Sequence, residues 1–141
     1  MAQIDQKLEL LKHVPLLHGL SRKDLEEVGM LAEEVDVPDG YVLCREGAPG
    51  SEFFMIVSGQ VRIDQGGRTI RVMDPGEFLG EIALVDEGPR SATATTVGPT
   101  TVLVLTRPGF RELMGKHESI EHSVLRALAS RIRNLDTAAA H

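Results

Sequence analysis

Residues 80–93 read GEIALVDEGPRSAT, and the side chains of this stretch suit the capture of a phosphate. Arg90 carries a planar guanidinium, the group best shaped for a two-pronged grip on phosphate oxygens. Pro89 restricts the loop before it and so helps fix where Arg90 points. Upstream, Glu81, Ala83 and Leu84 are fair helix formers placed between two strand-like regions. One helical turn there would leave the N–H groups of Ile82, Ala83 and Leu84 unpaired, and such an end attracts anions. Gly80 would let a bulky group approach the backbone closely. Glu81 would repel a phosphate beside it, so its better use is to accept a hydrogen bond from a sugar hydroxyl further out. The competing arrangement is a plain loop ion pair between Arg90 and Asp86 or Glu87.

Catalytic patterns are not found. Gly115-Lys116-His117 resembles the end of a P-loop, but Gly109 is one residue too far away and no Ser or Thr follows the lysine. The histidines are 13, 18, 117, 122 and 141; His117 and His122 are five apart, so they share no helix face. The strand regions carry no histidine, which excludes the metal set of a cupin-type barrel, and Gly-x-Ser-x-Gly is absent. These patterns predict no catalytic set, no metal and no cofactor.

The elements that would position Arg90 follow from composition. The chain has 141 residues, enough for one domain; 42% are apolar, and with 4% aromatics the core must be mostly aliphatic. Fourteen glycines spread among Val-, Ile- and Thr-rich runs suggest many tight turns, as in a small β-roll or jelly-roll-like barrel. A net charge of −6 argues against a nucleic-acid-binding surface, though not against one locally positive pocket. Cys44, alone, cannot form an internal disulfide, and neither a signal peptide nor a membrane-length apolar run is found. The expectation is a cytoplasmic protein with no membrane contact.

Three zones follow, within a single domain spanning 1–141. Residues 1–34 are helical: Leu8, Leu11 and Val14 recur at helical spacing, and Ser21 reads as the N-cap of a second helix carrying Leu25, Val28 and Leu31. Residues 35–106 read as short strands. Phe53 to Val57 is a buried strand that Ser58-Gly59 should break; Gly66-Gly67 marks a hairpin; Gly98-Pro99 should separate Ser91–Val97 from Thr101–Leu105. Residues 107–136 return to helix, with Pro108 in a first turn and Gly115 at a stop. A second helix from about Ser119 carries Ile120, Val124, Leu128, Ile132 and Leu135 as one stripe, suited to core or dimer packing. Arg126, Arg131 and Arg133 lie off that stripe as a solvated face, and the end from Thr137 should fray. The fold class is thus mainly β with flanking helices.

Gly80-Glu81-Ile82-Ala83-Leu84, a short insert, then Pro89-Arg90-Ser91-Ala92-Thr93 resembles the phosphate-binding cassette of the cyclic nucleotide-binding domain family. Val37 to Gly40, Glu46-Gly47, Phe53 to Val61 and Pro75 to Gly80 are similar to that family's strands and turn glycines in their usual order, and Val14 to Leu20 to its N-terminal segment. The resemblance implies a β-roll flanked by helices that binds cAMP or cGMP as a sensor. It implies that Arg90 holds the exocyclic phosphate oxygens and Glu81 the ribose 2′-hydroxyl. Gly80, Ile82 and Ala83 would shape the backbone around the phosphate, and Ser91 and Ala92 would complete the site. Serine at 91 leans toward cAMP, since threonine is frequent there in cGMP-selective members. The family's last helix closes over the base, which makes Leu128 and Ile132 the candidate lid. A protein partner or a fused effector domain would read the helix, and a homodimer could form through it. Two other readings share the resemblance. One is the effector domain of a ligand-regulated transcription factor lacking its DNA-binding part, since too few residues follow Leu135 for one. The other is a degenerate domain kept as an interaction scaffold.

Overall fold

A computed structural model describes the backbone of residues 4–139 and the side chains of residues 4–135. Helix α1 (Ile4–Leu11), a 3-10 turn (Pro15–Leu17) and helix α2 (Arg22–Leu31) open the chain. Ser21 caps α2 as its sequence predicts, its hydroxyl accepting from the Asp24 N–H at 3.2 Å. Six strands follow: β1 (Glu33–Val37), β2 (Val42–Cys44), β3 (Glu52–Gln65), β4 (Arg68–Met73), β5 (Phe78–Leu79) and β6 (Thr93–Thr106). A 3-10 turn (Ile82–Leu84) sits between β5 and β6, and α3 (Arg107–Lys116) and α4 (Glu118–Ala139) end the chain.

The strands make one antiparallel sheet in the order β1-β6-β3-β4, with β2 also on β6 and β5 also on β3. This is the mainly β fold with flanking helices that the composition implies. Strands β3 and β6 form its spine, paired from Glu52↔Thr106 to Asp64↔Thr93. The run Phe53-Phe54-Met55-Ile56 is buried along its whole length because both faces of β3 are covered. Phe53 and Met55 face the helices and pack with Leu103, Leu105, Phe110, Ile120 and Val124. Ile56 turns into the roll with Val61, Met73 and Ala94.

Two expected breaks are instead bulges inside continuous strands. Gly59 and Gly98 have φ of 87° and 78°, and the β3–β6 register shifts on either side of Ser58. A Cβ on Gly59 would lie 2.7 Å from the Pro99 carbonyl oxygen, so glycine lets the two strands cross closely while pairing continues. The N-terminal zone also ends earlier than expected, because Glu33 and Glu34 already pair with Val104 and Leu103. At the far end the backbone remains helical through Ala139, where fraying was expected from Thr137. No helix among the described residues is long and apolar enough to cross a membrane.

Candidate functional site

Strand β5 delivers the chain to Gly80, whose φ is +83°. A Cβ there would lie 2.5 Å from the Glu52 carbonyl oxygen and 2.6 Å from Arg90 Nη1, so conformation and space both require glycine. The next turn differs from the expected one. It is 3-10, and the N–H groups of Ala83 and Leu84 donate to Gly80 O at 3.1 Å and Glu81 O at 3.2 Å. Three-residue spacing uses those donors one position sooner than an α-turn would. Of the three N–H groups expected to be free, only that of Ile82 lacks a backbone acceptor among the described residues.

Arg90 is fixed from several sides. Its backbone N–H donates to Ala48 O and its carbonyl accepts from the Gly47 N–H, both at 2.8 Å. Pro49 and Pro89 form an isolated bridge just outside them. The side chain crosses the face of Gly50 and lies over Phe54, with the guanidinium carbon 5.9 Å from the ring centroid. Nη2 donates to Glu52 O at 2.7 Å. Nε is buried and has no partner, a state recorded for no other buried side-chain nitrogen or oxygen among the described residues. Neither Asp86 nor Glu87 forms an ion pair with Arg90; Glu87 lies 3.9 Å from Arg107 instead. A buried N–H donor without an acceptor is costly, and Arg90 is a partly buried cation with no carboxylate paired to it, so the arrangement favours an incoming anion.

Glu81 is 8% exposed. Its Oε2 accepts from the Leu16 N–H at 2.7 Å and its Oε1 from Arg131 Nη2. Arg131 is therefore more than a solvated charge: its side chain, 40% exposed, reaches from α4, seven residues beyond the buried Val124, to pair with the buried Glu81. Each carboxylate oxygen keeps a second lone pair, and Glu81 also borders the cavity described next.

Gly80, Glu81, Ile82, Ala83, Arg90, Ser91 and Ala92 all line one cavity of about 630 Å³. Its lining also includes the apolar Ile63, Ile70, Met73 and Leu79, with Arg71 among them. Cys44 also lines it; burial pushes its thiol above the usual range, against the opposing charge of Arg90. The structure does not bring Leu128 and Ile132 here. Leu128 packs against the helical core, and Ile132 is 61% exposed. Leu128 borders a separate groove of about 1380 Å³ between the N-terminal segment and α4, where His13, His18, His117 and His122 also lie. The phosphate-type elements border only the smaller cavity. Among the described residues no group of three or more His, Cys, Asp or Glu side chains is placed to hold a metal ion.

Reading the chain residue by residue passes over three contributors: Gly50, Phe54 and the carbonyl of Glu52. The first leaves a faint signal, a glycine in the Pro49-Gly50 loop with a positional reason that only the fold reveals.

Residues 34–117 match the cyclic nucleotide-binding domain family. Over 131 residues the chain is 33% identical to the cyclic AMP receptor protein of Thermus thermophilus, covering 89% of this chain and 61% of that protein. The N-terminal domain of a transcriptional regulator from Streptomyces coelicolor superposes with a TM-score of 0.84 at 28% identity, covering 92% of this chain and 96% of that one. The regulatory domain of Toxoplasma gondii PKA, solved with cAMP, gives a TM-score of 0.72 at 30% identity, covering 79% of this chain and 44% of that one.

Proposed function

This chain belongs to the cyclic nucleotide-binding domain family, and on that premise we propose that it is a sensor module that binds cAMP and performs no chemical step on it. The observation that carries this reading is the buried, unpartnered Nε of Arg90 at the edge of the 630 Å³ cavity, a volume within the roughly 300–1,000 Å³ of small-molecule sites. Arg90 takes the exocyclic phosphate oxygens and the Gly80–Ala83 turn lies against the phosphate. Glu81 accepts from the ribose 2′-hydroxyl through its remaining lone pairs. The apolar side chains of Ile63, Ile70 and Met73 receive the base. Ser91, standing where cGMP-selective members often carry a threonine that helps hold guanine, supports cAMP over cGMP as the preferred ligand.

The helix α4 is the output. Leu128 and Ile132 reach the base only if α4 swings toward the cavity, so a nucleotide that binds better with α4 closed shifts its position. Leu125, Leu128, Ile132 and Leu135 follow 3-4-3 spacing, and three of them are 57%, 61% and 66% exposed. That spacing matches the a/d seam of a two-stranded coiled coil and supports a homodimer through α4. Sedimentation equilibrium should show a dimer at micromolar concentration and a monomer for the Leu125→Glu/Ile132→Glu double variant; a monomeric wild type would remove the dimer. A second reading, the effector domain of a ligand-regulated transcription factor, is favoured by the near-complete overlap with the Streptomyces regulator domain.

The test is a calorimetric titration with cAMP and then cGMP, after removal of any co-purified nucleotide. One-to-one binding with cAMP the tighter ligand is expected. A folded, nucleotide-free protein that binds neither would overturn the sensor reading in favour of an interaction scaffold.

A further inference from the structure

Three consecutive carbonyls at the start of β3 are held by two arginines. Gly50 O accepts from Arg107 Nη1 at 3.1 Å, Ser51 O from the Arg107 backbone N–H at 2.7 Å, and Glu52 O from Arg90 Nη2 at 2.7 Å. The same Nη1 of Arg107 lies 3.3 Å from Ala83 O and 3.2 Å from Asp86 O. Its side chain is only 16% exposed, and its nearest carboxylate, that of Glu87, is 3.9 Å away and 77% exposed. The charge is therefore balanced mainly by backbone carbonyl dipoles, all three of them gathered around the one terminal nitrogen Nη1. Arg107 does not border the nucleotide cavity.

We propose that Arg107 is a positioning residue for the phosphate, acting through Arg90. It ties residues 50 and 51 to both ends of the segment 83–86, and Arg90 hangs from the next carbonyl along. The spacing between the Arg90 guanidinium and the cassette turn is thus set by a residue that never touches the ligand. Gly50 is also the surface that Arg90 crosses, so a shift of the 50–52 backbone moves the guanidinium directly. Arg107 is the first residue of α3, and α3 packs on both the cassette turn and α4. A movement of the helices is felt at the phosphate by this route and, by reciprocity, phosphate binding restrains α3.

This inference rests on the cAMP reading, and a double-mutant cycle separates the two. Wild type, Arg107→Ala, Arg90→Lys and the double variant are titrated with cAMP, with chemical denaturation of each as the check on folding. Arg107→Ala is expected to weaken binding about 10-fold in the wild-type background and less than about 3-fold beside Arg90→Lys, because residues that act as a unit are non-additive. Arg107→Lys should recover little, since the lysine stem is one atom shorter and its ammonium stops short of the Nη1 position where the three carbonyls converge; if Arg107→Ala does not fold, Arg107→Lys takes its place in the cycle. Equal losses in both backgrounds, no loss at all, or full rescue by lysine would each overturn the proposal. Wild-type protein that ignores cAMP would bring down the sensor reading instead, and this inference with it.

Discussion

Arg90→Ala is expected to weaken cAMP binding by about 2–5 kcal/mol, the usual cost of stranding one member of a desolvated charge pair. In affinity that is roughly 30-fold to several thousand-fold. The fold should barely notice. The wild-type side chain contributes one hydrogen bond, to Glu52 O, but also buries an Nε that nothing satisfies. Those terms are of similar size and opposite sign, each on the order of 1 kcal/mol. Isothermal titration should therefore register a large change while the denaturation midpoint stays nearly still. An unaltered dissociation constant would sink the phosphate role of Arg90.

Gly50→Ala should reproduce most of that loss without touching the arginine. The new Cβ would lie 1.9 Å from Arg90 Nε, 2.4 Å from Cζ and 2.7 Å from Cδ. Nothing in the Gly50 backbone resists a side chain, since its φ is not in the left-handed region. The backbone therefore stays and the guanidinium leaves its place over Phe54. A loss of at least about 30-fold in cAMP affinity is expected, the low end of the Arg90→Ala range. Gly115→Ala is the control: it borders neither cavity, has open space where a Cβ would go, and should bind as wild type does. Equal affinities for Gly50→Ala and Gly115→Ala would show that Arg90 does not need the path it follows here.

Much of this architecture is written locally. Ser21 with its acidic first turn, the Gly66-Gly67 hairpin and the alternation around Val61 each act through neighbours in the chain, and each is found where its residues place it. The cassette is legible for the same reason: Gly80 frees its own backbone for a positive φ, Pro89 restricts its own, and Arg90 follows that proline. What escapes is whatever depends on a partner far along the chain. Gly59 reads as a break, and only the crossing with Pro99 and Thr100 turns it into a bulge. Glu81 reads as a free acceptor, yet its partners are 65 residues before it, at Leu16, and 50 after it, at Arg131. Arg107 has no signature at all, because backbone carbonyls, which every residue owns, are its acceptors. The lid is illegible for a different reason. The stripe of α4 is the same whether the helix covers the base or lies against the N-terminal segment, and sequence periodicity carries no distance.

The pairing of β3 with β6 also sets an order of events. Glu52 meets Thr106 across 54 residues and Asp64 meets Thr93 across 29, and the phosphate cassette lies wholly inside that closed span. Loops of this length must surrender their entropy before the contacts that repay it exist, so the chain should cross its barrier slowly for its size. The cavity is complete only after that closure. A ligand that recognises nothing but the finished cavity cannot hasten its formation; it can only delay its loss. In the cell such a ligand would act as a clock on the lifetime of the folded chain, lengthening the interval between excursions to the open form and leaving the time needed to return from them unchanged.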